Sequence, residues 1–200
     1  MKKIAIIAFL LAVCSAAGRA QESRQDISLS GMGLVEPYVS SQTDVYVSAN
    51  RALGALASYR FQLTPTGAVE ANFGMTYQNN IHFKTNPNNY NVLTRTDEYS
   101  GAYVRSFTFR KFNPFIEAGA GIISFSPIRN SGTTTLDAKG QKQMGAIYGG
   151  GFAYEISPSF DLRAEFRGII THAPTFGDTQ FTTNKWYNIY NPVIGVAYHF

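Results

Sequence analysis

Residues 187–200 read YNIYNPVIGVAYHF, and the chain ends on the last of them. The even positions, Tyr190, Pro192, Ile194, Val196, Tyr198 and Phe200, are apolar or aromatic. The odd positions include Asn191, Gly195, Ala197 and His199, which are polar or small. Side chains on a strand point alternately to opposite faces, so this stretch predicts a strand with one greasy and one modest face. It closes on an aromatic residue.

The same period recurs upstream. Within 160–171, Phe160, Leu162, Ala164, Phe166 and Ile170 alternate with Asp161, Arg163, Glu165, Arg167 and Thr171. Further alternating runs occupy about 51–63, 68–79, 97–109, 115–125 and 144–156. A first run covers 26–35, with Ile27, Leu29 and Val35 on one face and Ser28 and Ser30 on the other; Met32 and Leu34 break its phase. The count is eight strands, each near the ~9–11 residues that cross a bilayer at the usual tilt. Turn residues such as Thr64-Pro65-Thr66-Gly67, 110–114 and Ser157-Pro158-Ser159 make short connections. Polar stretches at 36–50, 80–96, 126–143 and 172–186 make long ones. Connections thus alternate long and short around an all-β, eight-stranded antiparallel up-and-down barrel.

The first 20 residues have a different composition. Lys2 and Lys3 precede an apolar run from Ile4 to Val13, and small residues follow to Ala20. This is the order of a secretory signal peptide, and ten apolar residues are too few for a spanning helix. The expected organisation is a signal peptide at 1–20, a short tail at 21–25 and one barrel domain at 26–200. Cys14, the one cysteine, leaves with the signal, although Leu11-Ala12-Val13-Cys14 faintly resembles a lipoprotein box. No disulfide framework or thiolate metal site is then expected. Removing Lys2, Lys3 and Arg19 from the 17 basic residues leaves 14 against 13 acidic ones. The basic balance therefore gives no argument for a nucleic-acid partner.

Two barrel types fit this alternation. A soluble barrel would turn Phe166 and Ile170 inward around an apolar ligand and expose Arg163, Glu165 and Arg167. A membrane barrel would do the reverse. Long loops on one end only, and aromatics at both strand ends, favour the membrane version. Tyr59, Phe61, Phe109, Phe112, Phe160, Tyr198 and Phe200 fall at turn-side ends; Tyr77, Tyr148, Trp186, Tyr187 and Tyr190 fall at loop-side ends. An arginine on the lipid face near the midplane costs ~2–4 kcal/mol, so the register cannot slip by one residue.

With these residues assembled, the chain resembles the small eight-stranded outer-membrane barrels typified by the transmembrane half of outer membrane protein A and its OmpX-like relatives. The resemblance covers about 26–200. It implies a bacterial outer-membrane location, short periplasmic turns, long outer loops, and contact with outer-membrane lipid and lipopolysaccharide. It also implies that Tyr198 and Phe200 resemble the C-terminal signal read by the barrel-assembly machinery. So small a barrel has its interior filled by side chains. Glu70, Glu117 and Glu165 are expected to pair there with Arg60, Arg105, Arg163 and Arg167, giving a lumen plugged by charge.

The expected role is structural or surface-interacting, with a cell-surface ligand met by the outer loops and no cofactor. The alternatives are a narrow channel, an enzyme modifying lipid A, and a soluble secreted barrel. An enzyme would need a nucleophile, a base and an orienting carboxylate within reach. Similar deacylases place a histidine and a serine two apart on one strand face, but here Pro174 stands two after His172. His82 and His199 have no such set, so no catalytic residue is assigned. Three isolated histidines also predict no transition-metal site. Gly119-Ala120-Gly121 lacks the rest of a dinucleotide fingerprint, and Gly149-Gly150-Gly151 lacks the Lys-Ser/Thr of a phosphate loop. Both suit close packing within strands.

Overall fold

Alternating stretches become strands because only a pleated chain sends their two residue types to two different media. The computed structural model describes residues 24–40, 46–49, 51–84, 89–128, 138–178, 182–183 and 185–200. The expected signal peptide and the tail to residue 23 lie outside the described residues. Eight strands make the wall: β1 (Gln25–Leu34), β4 (Ala52–Thr64), β5 (Gly67–Lys84), β6 (Asn89–Ser106), β7 (Phe112–Pro127), β8 (Gln141–Ser157), β9 (Phe160–His172) and β10 (Trp186–His199). Two short strands, β2 (Val39–Ser40) and β3 (Tyr46–Ala49), belong to the first outer loop, and β3 lies along the outer end of β5.

All neighbours are antiparallel. The order runs β5-β4-β1-β10-β9-β8-β7-β6, and β6 pairs back to β5, so the barrel is closed and leaves no open edge. The first and last strands meet from Asp26 opposite His199 to Met32 opposite Val193. The Phe200 N–H donates to the Gln25 carbonyl at 3.0 Å, tying the chain end to its beginning. Connections at the end where β1 begins and β10 finishes are tight. Pro65 and Thr66 join β4 to β5, and Pro158 and Ser159 join β8 to β9.

The outward face is apolar along the membrane-spanning part. Ile194 is 61% exposed and Phe166 53%, whereas Arg167, next to Phe166 in sequence, has no exposed surface. The terminal strand is polarised as its even residues predict. A girdle at the periplasmic end includes Phe160 against Tyr198, with ring centroids 5.1 Å apart, and Phe112 against Phe152 at 5.3 Å. On the outer side Phe73 meets Tyr99 at 5.1 Å and Phe166 meets Tyr190 at 5.8 Å.

Two expectations change. The stretch 80–96 is not a long loop. β5 continues to Lys84 and β6 starts at Asn89, so a hairpin stands beyond the membrane girdle. Asparagines misled the reading, because their turn preference is overruled once Ile81, Phe83 and Val92 have a core to enter. Nor do Met32 and Leu34 break the phase of β1. Ile27 and Leu29 point out, and Ser28, Ser30, Met32 and Leu34 all point in. The interior changes from polar to apolar along the axis, and these residues follow it.

That change organises the molecule. Leu34, Ile81, Phe83, Val92, Ile123, Phe125, Ile147, Ile169, Phe176 and Ile189 form one buried apolar cluster in the outer half. β5 enters it through a bulge. Thr76 faces Thr96, but Asn79 faces Thr94, so β5 carries one extra residue. Gln78 there has φ 64°, in the left-handed region. The extra residue reverses the alternation, so Thr76 and then Asn79, Ile81 and Phe83 point inward.

Candidate functional site

The site is the polar interior of the membrane half. Each member arrives from a different strand at an inward position, and alternation alone puts it there. The layer nearer the periplasm is built on two guanidiniums. Arg60 Nε donates to Glu70 Oε2 at 2.7 Å. Arg163 Nη2 donates to Asp26 Oδ1 at 3.0 Å, and its Nη1 lies 3.7 Å from Glu70 Oε2. The Arg60 guanidinium sits 4.8 Å above the Phe115 ring, a cation–π contact that also closes space below it.

The deeper layer is built on one guanidinium. Arg167 grips Glu98 with both terminal nitrogens, at 2.8 and 3.3 Å, and donates through Nε to Glu117 Oε1 at 3.0 Å. Glu165 Oε1 approaches the same Nε at 3.8 Å. Ser100 Oγ donates to Glu98 Oε1 at 2.6 Å. Three carboxyl groups thus surround one arginine here, against two carboxylates and two arginines in the layer below.

The glycines of β8 make the deeper layer geometrically feasible. Glu117 on β7 pairs across to Gly149, which pairs onward to Arg167 on β9. Glu117 therefore reaches Arg167 over a bare strand. A Cβ on Gly149 would lie 2.7 Å from Glu117 Oε1 and 3.0 Å from the Phe166 carbonyl, so a side chain there would have to push the Glu117 carboxyl aside. The glycine run is a passage for a carboxylate, a reading the sequence had left at close packing.

Of the expected lumen residues, Arg60, Glu70, Glu117, Arg163, Glu165 and Arg167 come together. Arg105 does not. It is exposed on the outward face with Tyr103, one residue from the periplasmic end of β6. Its long stem suits a position at the headgroup level. Two partners were missed, Asp26 and Glu98, both buried. Alternation contained the signal: Asp26 is in phase with Ser28, and Glu98 with Ala102. Tyr198 lies on the lipid face and stacks on Phe200 with centroids 6.0 Å apart.

A cavity of about 250 Å3 opens at the periplasmic end and ends on Arg60, Arg163 and Phe115. His199 Nε2 lies 2.9 Å from Asp161 Oδ2 on its wall. The other histidines are at the opposite end. The His172 ring packs on Trp186, 3.9 Å between centroids, and His82 is bonded to Asn91. The three therefore form no common centre. Among the described residues no group of three His, Cys, Asp or Glu side chains is placed to hold a metal ion.

Towards the outer end the filling becomes largely apolar, although Thr76, Asn79 and Thr94 are buried there too. Met32, Leu56 and Val193 form a small cluster, and the outer cluster follows. Its outer end includes Phe176, supplied by the connection between β9 and β10. The Phe176 ring meets Phe83 edge to face, with centroids 5.9 Å apart. Phe176 has φ 50°, an uncommon conformation for a bulky residue. Gln141 Oε1 holds it there, accepting from the N–H groups of Thr175 at 2.8 Å and Phe176 at 3.1 Å.

Closed topology, an apolar belt and a charged interior are the marks of an outer-membrane barrel, and the sequence comparison agrees. Residues 5–200 match the family described as the outer membrane protein beta-barrel domain. The chain belongs to this family. No curated protein sequence matches it significantly. Several solved outer-membrane barrels share its fold. Neisserial surface protein A has 13% identity and a TM-score of 0.60, covering 89% of this chain and 98% of its own. OprG from Pseudomonas aeruginosa has 12% identity and a TM-score of 0.62, with 90% and 98% covered. The N-terminal barrel of Pseudomonas aeruginosa OprF has 15% identity and a TM-score of 0.50, with 91% and 100% covered. At such identities the likeness is one of fold. Membership implies the bacterial outer membrane as the location of this chain.

Proposed function

We infer that this outer-membrane barrel is a closed, non-catalytic scaffold whose outer loops and β5–β6 hairpin meet other molecules at the cell surface. One observation supports the reading: beyond the periplasmic cavity the interior carries paired charges and then apolar side chains. Two arginine–carboxylate layers occupy the membrane half, an apolar core occupies the outer half, and Phe176 sits at its outer end. An ion entering from the periplasm meets partnered guanidiniums and then hydrocarbon. Surface connections on a rigid wall are where binding groups concentrate. Lipopolysaccharide is the lipid the outer girdle would face, and Tyr198 with Phe200 would serve assembly.

Planar-bilayer recording on purified, refolded protein tests the reading. The expected result is no discrete conductance. Regular steps that disappear when Arg163 and Arg167 are altered would replace the scaffold with a narrow channel. Mass spectrometry of lipid A from expressing and deleted cells tests the catalytic alternative, and no change in acylation is expected.

A further inference from the structure

Glu36 is buried just beyond the outer end of β1. The chain leaves β1 and is pinned to β10 by a reciprocal pair of bonds between Val35 and Tyr190, each 2.9 Å. Glu36 then turns inward. Its Oε1 accepts one hydrogen bond, from Asn79 Nδ2 at 2.8 Å. Asn79 faces inward because the bulge at Gln78 reverses β5 just before it. Beyond Glu36 the chain turns out again. Tyr38 is exposed and stacks on Tyr46, with centroids 5.8 Å apart, while β2 pairs with β3 and β3 with β5. One carboxyl group therefore fixes the root of the first outer loop.

No arginine or lysine pairs with Glu36 among the described residues. Facing the same outer interior are Asn79 of β5 and Tyr187 of β10; the Tyr187 hydroxyl and Asn79 Oδ1 are buried without a partner. The other charged and titratable groups of β4 and β5 at this end do not share that interior. His82 is bonded to Asn91, Lys84 is exposed, and Arg51 is exposed at the start of β4. Among the described residues a carboxylate in this position has no counter-charge, whereas a protonated carboxyl needs none.

We propose that Glu36 is a proton-operated latch for the first outer loop. With its proton the carboxyl stays inside, and β2 stays paired with β3, which lies along β5. Without it the carboxylate leaves for water and carries β2 with it. Burial pushes the Glu36 carboxyl up to about 7, with the Asn79 hydrogen bond acting in the opposite direction. The folded value is raised, so the anchoring is complete below the usual carboxylate range and is lost as pH rises through about 7.

The experiment uses the full, folded barrel in phosphatidylcholine vesicles, with Cys14→Ser and a nitroxide label on Ser40→Cys. Ser40 is exposed on β2, so the label reports loop mobility without entering the core. The expected result is an immobile label at about pH 5.5 and a mobile one at about pH 8.5, the mobile-to-immobile ratio rising on the order of tenfold. Glu36→Gln should stay immobile throughout. His82→Asn should leave the transition in place, and Asn79→Leu should move its midpoint upward by removing the donor to the carboxylate. A pH-independent label in the parent, an unchanged transition in Glu36→Gln, or its loss in His82→Asn alone would overturn the latch. Heat-modifiable gel mobility shows that each variant is folded, and the Asn79→Leu shift decides the matter if Glu36→Gln does not fold.

Discussion

The membrane half and the outer half of this barrel use one wall with opposite polarity. On β9, Arg167 is fully buried and Phe166 faces lipid; on β5, Phe83 is fully buried and Lys84 faces water. The first half is inverted relative to a water-soluble barrel, and the second is conventional. Strand geometry is common to both. What differs is the medium beyond the wall, which takes apolar side chains in one half and rejects them in the other. An alternating sequence therefore specifies two faces, and the surroundings decide which of them becomes the core.

The strongest way to break this comparison is to unpair the inverted core. Arg167→Ala leaves Glu98 and Glu117 buried without their guanidinium and should cost about 3–5 kcal/mol. Urea-induced unfolding in detergent measures it, and a loss near zero would show that the deeper layer is not a closed ionic core. Next comes the outward face. Ile194→Arg should cost about 2–4 kcal/mol and deplete the heat-modifiable folded band. Asn89→Arg, an exposed change on the outer hairpin, should leave that band intact. Equal damage from both would erase the distinction between the halves.

Smaller changes sharpen it. Gly149→Ala puts a methyl group in the path of Glu117 and should cost about 1–3 kcal/mol through displacement of that side chain. The same assay reads it, and Gly149→Ala combined with Glu117→Gln should lose less than the sum of the two. Smallest is Ile81→Val in the outer core, about 0.5–1.5 kcal/mol. Amide exchange should place that loss in the outer hairpin and leave the membrane strands as protected as before.

Much of the membrane half was legible in the sequence, because charge against hydrocarbon is an unambiguous alternation. Arg163, Glu165 and Arg167 opposite Phe166 could be assigned to faces without coordinates. The eight strands followed from the same signal, and so did the alternation of connections except at 80–96, where a hairpin replaces the expected long loop. Arg105 was misassigned because its charge was given more weight than its phase with Tyr99 and Tyr103, although at a strand end charge is affordable on the outside. The outer half was harder. There both faces carry mixed residues, since Tyr187, Ile189 and Val193 point inward on the face of the closing strand that had looked modest. Asn80, Asn89 and Asn91 resembled a loop because turn preference is local, while the core that overrules it is assembled from eight strands. Glu36 gave no local signal at all. Its burial depends on a reversal of β5 forty residues later.

That reversal at Gln78 behaves like a frameshift written in space. One residue sets whether everything after it on the strand is read as inside or outside, so the distal hairpin is a cassette whose meaning depends on its junction. Deleting Gln78 should turn Ile81 and Phe83 to water and bring Asn80 and His82 inward, which a surface-labelling reagent would register. A foreign hairpin spliced above Thr76 would need to keep that single-residue offset to be decoded correctly.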